Sequence, residues 1–337
     1  KHGPGSTSDG KKCNQKYVWD NWFERLEPYF PISGFGYSNP GIYDDLVRGS
    51  HGDVCSSLKL LAEAEELPVK ITTVPKTLEK PRIIGLEPTC LQYCQQALKA
   101  FLVEIIEDTP PFAGHINFSD QTINACMALY SSKTGKYATI DLSAASDRVP
   151  NALSMRMFAA NQDLLGALQA CRSRKAKLPS GEVITLKKFS SMGSATCFPV
   201  EAMYFYTLCI VGLLDYMNLP PYPHNIRSIS KDIFVYGDDI IVPTDAAPHI
   251  IATLQKYYCK VGNQKSYWTG KFRESCGLDA YDGVEVTPTY IRRIPPDDKK
   301  STESLISWVE TANFFKEKGY ESTFRFMKRV VTDRLGP

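Results

Sequence analysis

The chain has 337 residues, 43% hydrophobic and 23% charged, with a net charge of +2. That length can bury one large core or two modest ones, and the composition excludes a disordered or fibrous chain. No run reaches the ~18 uninterrupted apolar residues of a membrane span and no signal peptide is visible; a near-neutral total does not identify a nucleic-acid partner, because basic residues gathered in one channel vanish in the sum.

In chain order, residues 1–20 are rich in Gly, Ser and Lys and read as a loop. Gly34 to Gly41 is turn-rich, and Ser56–Leu67 has helical spacing. Residues 70–84 are β-prone and carry Lys70, Lys76, Lys80 and Arg82. In an extended chain even-numbered side chains share a face, a register that Pro75 and Pro81 disturb. The run reads either as a basic strand over phosphates, with Arg82 best suited to a bidentate contact, or as a solvated basic edge. Tyr137–Asp141 reads as a strand ending at an acid, followed by small residues as far as Asp147. Asp147 is either a helix N-cap or a site group. Ser190–Leu214 reads as a Gly-containing loop feeding a long apolar helix, with Ala202–Leu214 as its buried part and Pro199 tolerated near the first turn.

The run Ile233–Val242 is β-branched and apolar except at Gly237-Asp238-Asp239. It predicts strand, tight turn and strand, with two acids at the tip. Two carboxylates at a hydrophobic hairpin tip call for a cation, and hard ions such as Mg²⁺ take carboxylate oxygens together with substrate phosphates. A bare Gly-Asp-Asp occurs by chance in roughly one chain in ten of this length, so it needs a second acid from elsewhere. Asp141 supplies one: two-metal phosphoryl-transfer sites join carboxylates from separate elements. Further on, Ala247–Val261 has helical apolar spacing. Lys265 follows and, on residues alone, reads as a surface lysine. Lys271–Gly277 with Val284–Pro288 reads as another hairpin, in which Arg273 and Glu274 either pair together or face a ligand. The ten cysteines form no CxxC pair, and Cys90 with Cys94 lacks a matching His/Cys pair. They read as free thiols of a reducing compartment, not as disulfides or zinc ligands.

Asp141 to Asp147, then Ser190-Ser191-Met192-Gly193-Ser194, then Tyr236-Gly237-Asp238-Asp239 resemble motifs A, B and C of viral RNA-dependent RNA polymerases. Lys1-His2-Gly3-Pro4-Gly5, Ile140–Asp147, Phe189–Gly193 and Phe272–Gly277 are similar to the replicase β-subunits of single-stranded RNA bacteriophages, the leviviruses. The ordered set, from residue 1 to about residue 293, is far more specific than any one member.

The resemblance implies an α+β right-hand polymerase fold of fingers, palm and partial thumb, with an antiparallel palm sheet packed on helices. Fingers would take 1–136, with motif F at 70–88, and the insertion 151–189. Palm would take 137–150 (motif A) and 190–290 (motifs B to E), and thumb would begin at 291–337. The implied activity is RNA-templated RNA synthesis that replicates a positive-strand phage genome in the cytoplasm of a bacterial host. Asp141, Asp238 and Asp239 would hold two Mg²⁺, with Mn²⁺ as a substitute, Asp239 in an assisting role. Lys265 would protonate the pyrophosphate leaving group. Lys76, Lys80, Arg82, Asp147, Ser191, Gly193, Thr196 and Glu201 would surround the nucleotide, and Arg273 would touch RNA. The pattern departs from many viral polymerases at Cys197 and Glu201, where Thr and Asn are common, so the hydrogen-bonding partner in motif B is Thr196, Cys197 or Glu201. Implied partners are template and nascent RNA, ribonucleoside triphosphates, and host elongation factors Tu and Ts with ribosomal protein S1; no membrane is implied. The start inside a mid-protein motif and the stop before the rest of the thumb lead us to expect the core of a longer protein.

The alternatives are a reverse transcriptase and an inactive RNA-binding scaffold. Against the first stand Gly237 before the acid pair and the small Ala144, Ala145 and Ser146 where a bulky gate would sit. Against the second stand Asp141, Asp238, Lys76 and Arg82 together.

Overall fold

A computed structural model describes residues 2–37, 58–75 and 81–336. Lys76 and Lys80 lie outside the described residues. The chain divides into one unit of Lys1–Thr72 with Ile84–Glu285 and a second of Thr73–Ile83 with Val286–Pro337.

β1 (Asn21–Phe23) pairs in parallel with β2 (Lys59–Leu61). β3 (Val69–Pro75), β4 (Pro81–Leu86), β6 (Lys175–Lys177) and β7 (Val183–Thr185) form a sheet of order β4-β3-β6-β7. The central sheet has the order β5-β9-β8 and is antiparallel, with β5 at Tyr137–Asp141, β8 at Phe234–Tyr236 and β9 at Asp239–Pro243. β10 (Phe272–Ser275), β11 (Leu278–Tyr281) and β12 (Val284–Glu285) make an antiparallel meander.

The central sheet forms from two short runs that are uncharged except for an acid at one end. Ala138, Thr139 and Ile140 of β5 and Ile240, Ile241 and Val242 of β9 are all buried, so both faces are covered. Each such aliphatic side chain contributes roughly 1.5–3 kcal/mol by leaving water. Single bridges widen the sheet: Ile116 joins Val235 in parallel, and Tyr267 joins Thr139 antiparallel.

The helix Cys197–Tyr216 packs against the sheet and against the helix Ala247–Lys256. A side chain at Gly212 would stand 3.1 Å from the Ile250 Cα, so glycine sets how closely these helices approach. By length and apolarity Cys197–Tyr216 could cross a membrane, but 78% of its apolar window is buried inside the protein. It is a core helix, as expected, and begins five residues ahead of the Ala202 start. Helix Thr122–Thr134 packs on β5, β10 and β11, and Thr89–Asp108 on the helix Gln162–Cys171.

Two expected elements differ. Described residues of Ser56–Leu67 form β2 and a turn, not a helix. The Lys59 N–H donates to the Asp20 carbonyl at 2.9 Å, and pairing with β1 overrides helical propensity. The partner of β10 is not the 284–288 stretch but β11, reached through Cys276-Gly277 at φ 51° and 77°. A second such turn, Asp282-Gly283 at φ 52° and 82°, leads into β12. Both are the left-handed pairs that type I′ hairpins need.

In the second unit, helices Thr302–Glu317 and Glu321–Leu335 bury Leu305, Trp308, Ala312, Met327 and Val331 in a small core of their own. The first helix ends in a Schellman motif. Gly319 (φ 81°) donates to Lys316 at 3.0 Å and Tyr320 to Phe315 at 2.8 Å.

Candidate active site

Asp141 ends β5 and lies directly opposite Asp239, which begins β9. The N–H and C=O of Thr139 bond to Tyr267 at 3.0 and 2.7 Å, and the Asp141 carbonyl accepts from Gly262 at 2.8 Å. These groups therefore point away from β9, and Asp141 and Asp239 form a non-hydrogen-bonded pair. Such pairs bring Cα atoms to about 4.5 Å and side chains to the same face. Like charges placed so are destabilising unless something cationic intervenes.

Asp238 stands beside them on the tip, exposed. Gly237 precedes it at φ 60°, as the first central position of a type II′ turn requires. A Cβ there would meet the Phe198 ring at 2.2 Å. Phe198 covers the hairpin base, 5.3 Å edge-on from Tyr236. Asp141 is held from the other side. Its N–H donates to Ser266 Oγ at 3.1 Å, and a Cβ at Gly262 would come within 2.7 Å of its Oδ2.

Acidic groups gather here, and their titration reflects it. Burial, with Asp238, Glu274 and Asp141 nearby, pushes the Asp239 carboxyl up to about 7, against the backbone N–H of Cys276, which donates to it. Burial first, then the adjacent Asp279, also raises Glu274, while Lys265 opposes that. Burial, followed by Asp238 and then Asp147, pushes Glu201 up to about 8.

Among the described residues no three acidic, His or Cys side chains stand as a ready-made metal cage. Mg²⁺ does not ask for one, being held through one or two carboxylates with waters and substrate phosphates. A cross-strand carboxylate pair with a third on the tip, all hard oxygen donors, fits that ion. The described cysteines are all free.

Motif B lies alongside. Gly193 has φ 112°, and a Cβ on it would strike the Gly85 carbonyl at 2.3 Å. The Gly85 N–H donates to Met192 at 2.7 Å. Ser191 is buried beside Gly85 and its Oγ finds no partner among the described residues. Of the three candidate partners in motif B, Thr196 shares its hydroxyl with Ser194 at 3.2 Å. Cys197 donates to Glu201 at 3.7 Å. Glu201 is the one whose electrostatic neighbours are Asp238 and Asp147.

Asp147 lies within a short 3₁₀ turn, Ser146–Arg148, and does not cap it; its carboxylate pairs with Lys188 at 2.5 Å. Lys265 is exposed, close enough to Glu274 to oppose its shift. Arg82 is exposed on β4, in the second unit. The expected RNA contact at Arg273 is corrected. The side chain is 1% exposed, and its guanidinium donates to the carbonyls of Tyr137, Gly270 and Phe272 at 2.7, 3.0 and 2.7 Å. It ties the meander to β5 and has no donor face toward solvent.

Sequence reasoning missed Glu274 as a member of the acidic group, and Lys188, Gly85 and Gly262. Strand alternation in β10, which sends 273 and 275 inward and 274 outward, was the available signal for Glu274. The others meet their partners only through tertiary contacts.

An antiparallel β5–β9–β8 sheet with acids gathered at one end, backed by two helices, defines the palm of a right-hand polymerase. The same fold occurs in the RNA-dependent RNA polymerase of a human picorbirnavirus, with a TM-score of 0.54 over 80% of this chain and 57% of that one at 14% identity. The RNA replicase, beta-chain family matches residues 53–295, and the chain belongs to that family. It is 35% identical over 231 residues to the RNA-directed RNA polymerase subunit beta of Qbeta virus (strain MX1), covering 68% of this chain and 36% of that protein. It is 33% identical over 223 residues to the RNA-directed RNA polymerase beta chain of Escherichia phage MS2, covering 66% and 37%. The chain thus spans little more than a third of the length of these two relatives.

Proposed function

We propose that this chain is the polymerising core of an enzyme that copies RNA from an RNA template, as a single-stranded RNA phage replicase. The observation that carries the reading is the cross-strand pair Asp141–Asp239 with Asp238 on the adjoining tip. Family membership supports the same reaction, and RNA template, nascent RNA and ribonucleoside triphosphates as its partners.

The residues divide the work. Asp141 and Asp238 would hold the divalent ions, with Asp239 assisting. Two bound Mg²⁺, or Mn²⁺ in their place, would lower the pKa of the primer 3′-OH and neutralise the triphosphate. Ser191 and Gly193 let backbone approach the nascent pair. Asp147, with Glu201 behind it, accepts from the ribose 2′-OH. Arg82, Lys76 and Lys80 receive the triphosphate, and Lys265 delivers a proton to the leaving pyrophosphate. Residues 291–337 start the thumb.

Primer extension on matched RNA and DNA templates tests this. The expected result is complementary ribonucleotide addition on RNA. Preference for deoxynucleotides would replace the reading with reverse transcription, and RNA binding without extension on any template would replace it with a scaffold.

A further inference from the structure

The turn after motif A and the strap before motif B are separate in sequence and meet at one ion pair, Lys188 Nζ to Asp147 at 2.5 Å. The two partners are unequal: the Lys188 side chain is 19% exposed and that of Asp147 54%. The cation belongs to the wall, and the acid looks outward.

The root of Lys188 is clamped from both sides. Pro150 bridges Lys188, the Phe189 N–H donates to Val149 at 2.8 Å, and the Asn151 N–H to Lys187 at 3.0 Å. Behind the strap, buried Arg172 donates to the carbonyls of Lys188 and Phe189, each at 2.8 Å, and to that of Leu186. A lysine is ordinarily a mobile charge on a flexible stem. Here the strap fixes where that stem starts. Asp147 is set by its own short turn, in which its N–H donates to Ala144 at 3.1 Å and Ala144 takes φ 52°. Together they line a cavity of about 470 Å³, with Arg148, Lys187 and Tyr258 on its walls. Asp147 is also an electrostatic neighbour of the buried Glu201.

We propose that Lys188 is a positioning residue for ribose selection: it holds the Asp147 carboxylate in place to accept a hydrogen bond from the 2′-OH of the incoming nucleotide. This rests on the polymerase reading above. Without a fixed cation, a carboxylate that is 54% exposed would turn toward water. With it, the acceptor stands ready before substrate arrives. A site built to bond a hydroxyl rejects the analogue that lacks it. Discrimination then depends on a residue that does not itself touch the sugar.

The test compares Lys188→Met, Lys188→Arg, Asp147→Ala and the Lys188→Met/Asp147→Ala double variant in the intact replicase. The readout is the ratio of kcat/KM for a ribonucleotide and its deoxy counterpart on one RNA template. Lys188→Met should lower the ratio about tenfold, the scale of one charge-assisted hydrogen bond, through the ribonucleotide. Lys188→Arg should restore most of it, and the double variant should be no worse than Asp147→Ala alone. Thermal unfolding of each variant shows whether a loss comes from misfolding, and the ratio is taken on folded protein. An unchanged ratio in Lys188→Met, or an equal loss for both sugars, overturns the proposal while leaving the polymerase reading intact. A wild-type enzyme that already prefers deoxynucleotides overturns both.

Discussion

Two hairpins with glycine turns use one device for opposite ends. β8–β9 and β10–β11 are each closed by a two-residue turn with a glycine at positive φ, and each carries charged residues at or next to that turn. In the first, Asp238 stands exposed on the tip. In the second, Arg273 is sealed inside and given over to three carbonyls, and the turn at Cys276 donates to Asp239. Charge in a hairpin is available for chemistry only where the fold has left it uncommitted. Residue type and spacing do not distinguish the two cases; hydrogen-bond bookkeeping does.

The largest way to break this comparison is Asp141→Asn. It should cut nucleotide incorporation by on the order of 10³-fold or more with RNA affinity nearly unchanged, because on the proposed function the acid would hold metal while affinity would come from basic contacts to phosphates. Primer extension and filter binding at one salt concentration measure both. In the other hairpin, Arg273→Ala should act on stability. One buried and two partly buried carbonyls lose their donor, at a cost of about 3 kcal/mol, visible as a lower urea midpoint. A fully stable Arg273→Ala protein with weakened RNA binding would restore the RNA-contact role.

Gly237→Ala probes the tip itself. A left-handed φ and a 2.2 Å approach to Phe198 leave no room for a methyl group. Strain of roughly 1–3 kcal/mol is expected, with a ten- to hundredfold loss of incorporation from misplacing Asp238. The smallest effect is expected at Glu87, a buried acid outside both hairpins that accepts from Ser173. Burial pushes its carboxyl up to about 7 from 4.5. The folded chain then keeps a proton that the unfolded chain has released. That contribution is whole below pH 4.5 and is lost as pH rises through 7. Glu87→Gln should therefore gain stability relative to wild type across that window, and denaturation series at acid and neutral pH would show it.

Much of the palm was legible because its signals are local. An uninterrupted β-branched run broken only at Gly237-Asp238 fixes a hairpin with its acids at the tip, and the apolar stretch after Pro199 fixes a core helix. Ser56–Leu67 misled because its residues favour helix while β1, far upstream, offered a strand partner. β11 was overlooked although Cys276-Gly277 and Asp282-Gly283 are turn signals on either side of it. Arg273 and Lys188 show the deeper limit. One basic residue is buried in carbonyls and the other is pinned on an acid, and nothing in the neighbouring sequence separates them.

The central claim is that the uncommitted acid at the tip does the chemistry and the partly committed one beneath it assists. The most direct test is single-turnover ribonucleotide incorporation on one RNA primer–template by Asp238→Asn and by Asp239→Asn, with RNA affinity measured alongside. The expected result is that Asp238→Asn loses nearly all incorporation and Asp239→Asn retains a measurable rate, with both binding RNA as wild type does. Substantial incorporation by Asp238→Asn, or a heavier loss in Asp239→Asn, would contradict it.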